Sequence, residues 1–239
     1  MIKKITLITA VSLIFNLATC QTTEEKENQL EAELKLEITD TKNSIKTTSL
    51  IYDEIPKSLN FRGTVVESLK WKDALGENIL IFTLSGSFDW KEYYKSGSQK
   101  YDIQDKSELY VYLFQKRSNQ NQFQMKWRMY DYTKCFGVDM YTGFIKKAAT
   151  ITDLDKDGIS EVSIPYVLIC RGGMDPGTMK IIMYEDDTKY ALRGETAICK
   201  QKEVMYGGTY KASESLKTNR IFNEYLEKRW EMHKCEKLN

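Results

Sequence analysis

From Phe61 onward, apolar and polar side chains alternate in short runs broken by turn residues, the period-2 signature of half-buried strands. Thr64 to Lys72 and Asn78 to Leu84 flank Asp73-Ala74-Leu75-Gly76, where the glycine can take a positive φ, so a hairpin is expected there. Further strands are expected over Glu108 to Gln115, Phe123 to Tyr132, Lys146 to Thr152, Ser160 to Ile169, Met179 to Glu185 and Tyr190 to Ala197. Their Tyr, Phe, Val and Ile content suits a pleated surface. After Gly207-Gly208 the period becomes helical: Leu216, Ile221, Phe222, Tyr225, Leu226, Arg229 and Trp230 share one stripe, with Ser213 or Ser215 as N-cap. The expected fold is mainly β, an antiparallel sheet of sandwich- or roll-like form, with a C-terminal α-helix packed on a sheet face or edge. No internal repeat is long enough to predict a propeller or solenoid.

The first residues depart from this pattern. Lys3 and Lys4 precede an apolar run from Ile5 to Ala18, the n-region and h-region of an export signal. The run, about 14 residues, is shorter than the roughly 20 that a spanning helix needs. It ends in Leu17-Ala18-Thr19-Cys20, which resembles the lipobox of bacterial lipoproteins, although Thr19 stands where Gly, Ala or Ser is usual. Residues 1–19 are therefore expected to be a lipoprotein signal peptide and Cys20 the lipidated residue; the other reading is ordinary cleavage near Thr19. From Gln21 to about Lys46 the chain is rich in Glu, Lys, Thr and Asn, including Glu24, Glu25 and Glu27. Residues 20–58 are expected to form the acylated cysteine and a flexible charged tether, and 59–239 a single domain. Acidic residues just after the cysteine resemble surface-sorting signals of Bacteroidetes lipoproteins. The implied address is the cell envelope, at the outer membrane, with the lipid as membrane partner.

Lipidating Cys20 leaves four of the five cysteines, Cys135, Cys170, Cys199 and Cys235. Three pairings are possible, and proximity in sequence favours Cys135 with Cys170 and Cys199 with Cys235. Their spacing matches no zinc motif. With 35 basic and 34 acidic side chains the formal charge is +1, and losing Lys3 and Lys4 would shift it to −1. Such a balance offers no strong field for nucleic acid.

The sharpest local motif is Asp153-Leu154-Asp155-Lys156-Asp157-Gly158-Ile159-Ser160-Glu161. Alternate carboxylates converge on a hard cation, glycine permits the sharp turn, Ile159 can offer its carbonyl, and Glu161 stands at the ninth position. Calcium in a structural role is the expected cofactor. Ile164 occupies the position of the usual bidentate glutamate, and the flanks are strand-like, so the loop resembles those of FG-GAP-type repeats rather than an EF-hand. The alternative reading is an acidic turn that binds nothing.

Catalytic chemistry is constrained by what the chain lacks. His233 is the sole histidine, so every Ser-His-Asp, Cys-His or histidine-rich zinc arrangement would depend on it. G-x-S-x-G, Walker and dinucleotide-binding motifs are absent. A glycan-acting enzyme needs only two carboxyl groups, for which Asp131 and Asp139 are candidates. Aromatic residues recur beside polar ones at Trp71, Phe88-Asp89-Trp90, Tyr93-Tyr94, Tyr110, Tyr112, Trp127 and Tyr130-Asp131-Tyr132. Flat rings beside carboxylates and amides suit sugar recognition, although in a β-rich domain such residues more often form the core and cross-strand pairs. The candidate ligand set is Trp71, Trp127, Tyr130, Asp131 and Arg171, the last opening a stretch to Thr178 that reads as a long turn.

Several of these motifs occur together and in order: Trp71-Lys72-Asp73 with Gly76-Glu77-Asn78, Trp127 with Tyr130-Asp131, Thr152 to Ile159 with Glu161-Val162, Cys170-Arg171, and Tyr190-Ala191-Leu192-Arg193-Gly194. The set resembles a group of Bacteroidetes envelope proteins labelled surface polysaccharide biosynthesis protein, over roughly Phe61 to Thr196. The resemblance implies glycan-related envelope work and supplies no reaction or catalytic residue. A lipid-anchored accessory or glycan-binding protein, partnered by polysaccharide or another envelope protein, is the leading expectation. A carboxylate-dependent enzyme and a purely structural envelope protein are the alternatives.

Overall fold

The computed structural model of the chain describes residues 42–201 and 203–236. The expected signal peptide, Cys20 and the tether up to residue 41 lie outside them. Apart from Lys42, the described residues belong to one unit, Asn43–Asn239. Among them no helix is long and apolar enough to cross a bilayer.

Two antiparallel sheets form the body. The first has strand order β1–β2–β3–β4–β5, from Thr48–Ser49, Thr64–Asp73, Gly76–Tyr93, Tyr101–Lys116 and Gln124–Cys135. The second has order β13–β10–β9–β8–β6, from Tyr210–Ala212, Thr188–Glu195, Thr178–Glu185, Glu161–Arg171 and Asp139–Phe144, with β7 (Thr150–Thr152) also paired to β8. Leu80, Phe82, Leu109, Val111 and Met129 of the first sheet share one core with Ile151, Val162, Ile164, Ile182 and Ala191 of the second. Burying each of these side chains larger than alanine contributes about 1.5–3 kcal/mol. The expected mainly β fold with a C-terminal helix is observed.

Both sheets are also covered on part of their outer faces, which explains why β3 and β4 read as nearly continuous apolar runs. On the first sheet, Ile79, Ile81, Tyr110, Tyr112 and Phe114 point away from the shared core and meet Ile55 and Leu59. Folding therefore begins earlier than the expected boundary at residue 59. Thr48 and Ser49 pair with β2, and the Leu50 N–H donates to the Ser68 carbonyl. Residues 43–58 belong to the domain rather than to a tether, because the apolar side chains of Leu50, Ile55 and Leu59 have a sheet face to cover.

The second sheet is covered by the C-terminal helix. The helical stripe is split: α1 (Glu214–Lys217) starts at Ser213, and α2 (Arg220–His233) starts at Asn219, whose side chain accepts from the Phe222 N–H. Phe222, Tyr225, Leu226, Arg229 and Trp230 are buried, whereas Ile221 faces solvent. Tyr190 meets Phe222 edge-on, and Tyr210 packs on Trp230.

Two further departures from expectation have local causes. After Leu84 a register shift at Ser85-Gly86 carries β3 on to Tyr93, paired with an equally extended β4, where the expected strand stops. Lys146 to Ala149 are a turn, because the Ala148 N–H returns to the Ile145 carbonyl and Lys147 takes φ 57. A small third sheet, β12–β11–β14 (Glu203–Gly207, Ala197–Lys200, Cys235–Glu236), closes the C-terminus. Disulfides join Cys135 to Cys170, tying β5 to β8, and Cys199 to Cys235, tying β11 to β14. With partners 35 and 36 positions apart in sequence, each removes roughly 3–4 kcal/mol of chain entropy from the unfolded state.

Candidate functional site

The acidic loop lies between β7 and β8 and is clamped against the β2–β3 turn of the other sheet. Asp73 Oδ1 accepts from the N–H groups of Leu75 and Gly76, making the tight turn, while its Oδ2 accepts from Ser160 Oγ at 2.6 Å. Ser160 Oγ in turn accepts from Trp71 Nε1 at 2.9 Å, and the Ala74 N–H donates to the Gly158 carbonyl. Within the loop, Asp153 accepts from Gly158 N–H, Asp155 from Asp157 N–H and Asp157 from Ile159 N–H. Lys156 and Gly158 both take positive φ, which lets the turn fold its carboxylates together.

Two overlapping clusters result: Asp153, Asp155 and Glu161, and Asp155, Asp157 and Glu185, each with carboxylate oxygens within 4.8 Å of one another. Glu161 is fully buried and accepts from Thr152 Oγ1 and Leu154 N–H. Burial pushes its carboxyl up to about 8 against the hydrogen bonds from Leu154 and Thr152, and the charges of Asp155 and Glu185 push the same way. Glu185 is also raised, by burial and then by Asp155 and Asp157. Concentrated hard-oxygen donors of this kind fit calcium chemically. Asp153, Asp155, Asp157 and Glu161 are the expected residues; Ile159 enters here through its N–H. Glu185 was not expected, because it joins only through strand register, opposite Glu161 on β9.

The five expected ligand residues do not converge. Trp71 is 3% exposed and lies in the inter-sheet core, its indole N–H spent on Ser160, so it offers no ligand surface. Trp127 is half-buried and stacked on Tyr184 with ring centroids 4.2 Å apart. Asp131 Oδ2 takes Lys180 Nζ at 2.5 Å and Tyr166 Oη–H at 2.8 Å, a polar link between the sheets. Asp139, its proposed catalytic companion, lies on the other sheet in β6. Arg171 is bound by Glu236 and the Asp175 carbonyl, and Glu236 also accepts from Gly177 N–H and Thr196 Oγ1. Arg171 therefore fastens the C-terminal strand.

Only Tyr130 reaches an exposed aromatic face. The outer side of the first sheet is capped at one end by Ile55 and Leu59 but is open at the other. The aromatic ladder runs out of the capped part into the open one: Tyr112 stacks on Tyr110, Tyr110 meets Tyr130 at 5.0 Å, and Tyr130 meets Tyr132 at 5.8 Å. Lys106 Nζ lies 4.0 Å from the Trp90 centroid and 4.8 Å from that of Tyr132, with Lys134 over the same two rings. Phe88, Trp90, Tyr130 and Tyr132 are between 36 and 42% exposed.

Fixed polar groups accompany the rings. Glu108 accepts from Tyr110 Oη–H at 2.6 Å and Tyr130 Oη–H at 2.9 Å, and pairs with Lys106. Glu92 pairs with Lys134 and accepts from Trp90 Nε1 at 3.1 Å. Burial pushes Tyr110 and Tyr130 up to about 12, reinforced by the Glu108 charge. Burial also acts to raise Glu108, but the bonds from Lys106, Tyr110 and Tyr130 outweigh it and hold the carboxyl below its ordinary value. The face thus keeps protonated phenols and ionised carboxylates at neutral pH. Beside it, a shallow concavity of about 540 Å³ is lined by Trp90, Glu92, Tyr93, Lys95 and Lys134. The Phe88-Asp89-Trp90 and Tyr130-Asp131-Tyr132 repeats were the sequence signal for this surface; Lys106, Lys134, Glu92 and Glu108 carried none.

Comparison of the chain with protein-family models, curated proteins and solved structures returns no match.

Proposed function

We propose that this domain is an extracytoplasmic glycan-binding module, carried on a lipid anchor at Cys20 and serving the assembly or display of surface polysaccharide. The observation that carries the reading is the open aromatic face of Phe88, Trp90, Tyr130 and Tyr132 with its ordered carboxylates and lysines. Rings stack on the apolar faces of sugars, while Glu108, Glu92 and the tyrosine hydroxyls engage sugar hydroxyls in fixed orientations. Because these groups already bond one another, they lose little freedom when a ligand docks. The two disulfides support export, since such bonds persist in oxidising compartments.

Calcium is the cofactor of this reading. Asp153, Asp155, Asp157, Glu161 and Glu185 would hold it, and the ion would neutralise the carboxylates that the loop gathers. Its role is to brace the loop that locks the two sheets through Asp73 and Ser160.

The test is affinity electrophoresis of the mature chain through gels containing envelope polysaccharides, with Trp90→Ala/Tyr132→Ala beside it. Retardation should fall about tenfold or more in the double variant, as expected for losing two stacking surfaces. Absence of retardation by every polysaccharide tested, or an unchanged double variant, would refute the reading.

A further inference from the structure

The inner face of the second sheet carries a cationic row whose composition gives little hint of it. Register places Lys180 on β9 opposite Arg193 on β10, and Arg193 opposite Lys211 on β13. All three point the same way. Tyr210 packs against Trp230 and Tyr190 against Phe222 on the helix side, whereas Ala191 belongs to the inter-sheet core, so Lys211 and Arg193 face the inter-sheet side. The first sheet does not cover this end: Arg193, Lys211 and the adjoining Lys189 are exposed.

Like charges placed directly opposite on neighbouring strands destabilise a sheet. Here two such pairs are consecutive. The carboxylates on this face are Asp131, already bonded to Lys180 and Tyr166, and Glu195, which accepts from Thr209. Four cations against two carboxylates leave an excess of positive charge. Among the described residues the side chains of Lys189, Arg193 and Lys211 make no hydrogen bond or ion pair, and Lys189 lies 5.5 Å over the Tyr184 ring. Burial, and then the charges of Arg193 and Lys180, hold the Lys189 ammonium below its ordinary value against the opposing pull of Asp131.

We propose that the exposed cations Lys189, Arg193 and Lys211, beside the Asp131-bonded Lys180, form a binding strip for an acidic polysaccharide, one with a carboxylate on each sugar unit. The row runs across the strands, so its cations repeat at the strand spacing of roughly 4.8 Å. The long side chains of Arg193 and Lys211 on neighbouring strands can therefore engage carboxylates of one polyuronate chain together, while Lys180 keeps its bond to Asp131. An anionic lipid surface fits less well, because no exposed large apolar side chain lies on β9, β10 or β13 to enter a bilayer. The strip is separate from the aromatic face and stands without it.

Affinity electrophoresis of the mature chain in polygalacturonate tests the strip, with fully methyl-esterified polygalacturonate, galacturonate monomer and phosphatidylglycerol vesicles as comparison probes. Polygalacturonate should retard the chain in a salt-sensitive way, the ester should not, and the monomer should compete only weakly. Arg193→Gln/Lys211→Gln, both at exposed positions, should lose tenfold or more in affinity with an unchanged near-ultraviolet circular dichroism spectrum. Trp90→Ala/Tyr132→Ala should stay within twofold, which separates failure of the strip from failure of the aromatic face. Equal retardation by the ester, an unaffected Arg193→Gln/Lys211→Gln variant, or tighter binding to the vesicles than to the polymer overturns the proposal.

Discussion

As the pH falls, protonation of one identifiable group should withdraw stability from this domain. His233 is the only histidine in the chain and sits in the last turn of α2. Arg229, one turn earlier, places its guanidinium 3.4 Å from His233 Nε2. A helix C-terminus ordinarily favours a cation, but burial and then the Arg229 charge dominate here and lower the imidazole from 6.5 to about 4. The unfolded chain therefore binds a proton below about pH 6.5 that the folded chain does not take until about pH 4. By linkage, stability is fully present above about 6.5 and is lost progressively as the pH falls towards 4. The shift corresponds to about 3 kcal/mol, and partial solvent access reduces this to about 2 kcal/mol. Carboxylates titrate in the same range, so the assay is a difference: urea unfolding of the wild type and of His233→Gln at pH values from about 7.5 to about 4. The two stability curves should stay parallel above about 6.5 and then converge or cross by about 2 kcal/mol as the wild type alone pays for protonation. Curves parallel throughout would refute the assignment.

The acidic loop and its clamp are open to comparable tests. Calcium at about ten times its dissociation constant should stabilise the wild type by about 1.4 kcal/mol, a rise of roughly 3–6 °C in Tm, and Asp155→Asn, which removes a carboxylate shared by both clusters, should abolish most of that rise. An equal calcium response in both proteins, read by differential scanning calorimetry, would eliminate the loop as the binding site. Ser160→Ala should cost about 2 kcal/mol in urea unfolding, since it leaves the buried Trp71 N–H without its acceptor and deprives Asp73 of a donor at no great loss of volume. A change below about 0.5 kcal/mol would show that the contact contributes little.

Local chemistry accounts for much of the fold. The alternation of Val, Ile and aromatic residues marks the strands, Asp73 and Gly76 specify the β2–β3 turn, and the spacing from Leu216 to Trp230 marks the helical stripe, because these signals act over a few residues. The acidic loop is legible for the same reason: six consecutive residues, Asp153 to Gly158, contain its alternate carboxylates and its glycine. Trp71 and Trp90 show where that legibility stops. Each stands beside charged residues in an alternating strand, yet one lies in the core and the other on an open face. Which side of a strand is covered depends on what the rest of the chain stacks against it, and a period of two is symmetric about that choice. Glu185 reaches the acidic cluster, and Arg193 stands between Lys180 and Lys211, only through cross-strand register. Sequence by itself determined the elements, their turns and the loop that gathers carboxylates. Tertiary structure alone decided which aromatics meet solvent and which distant charges become neighbours, because strand pairing joins residues that no local pattern connects.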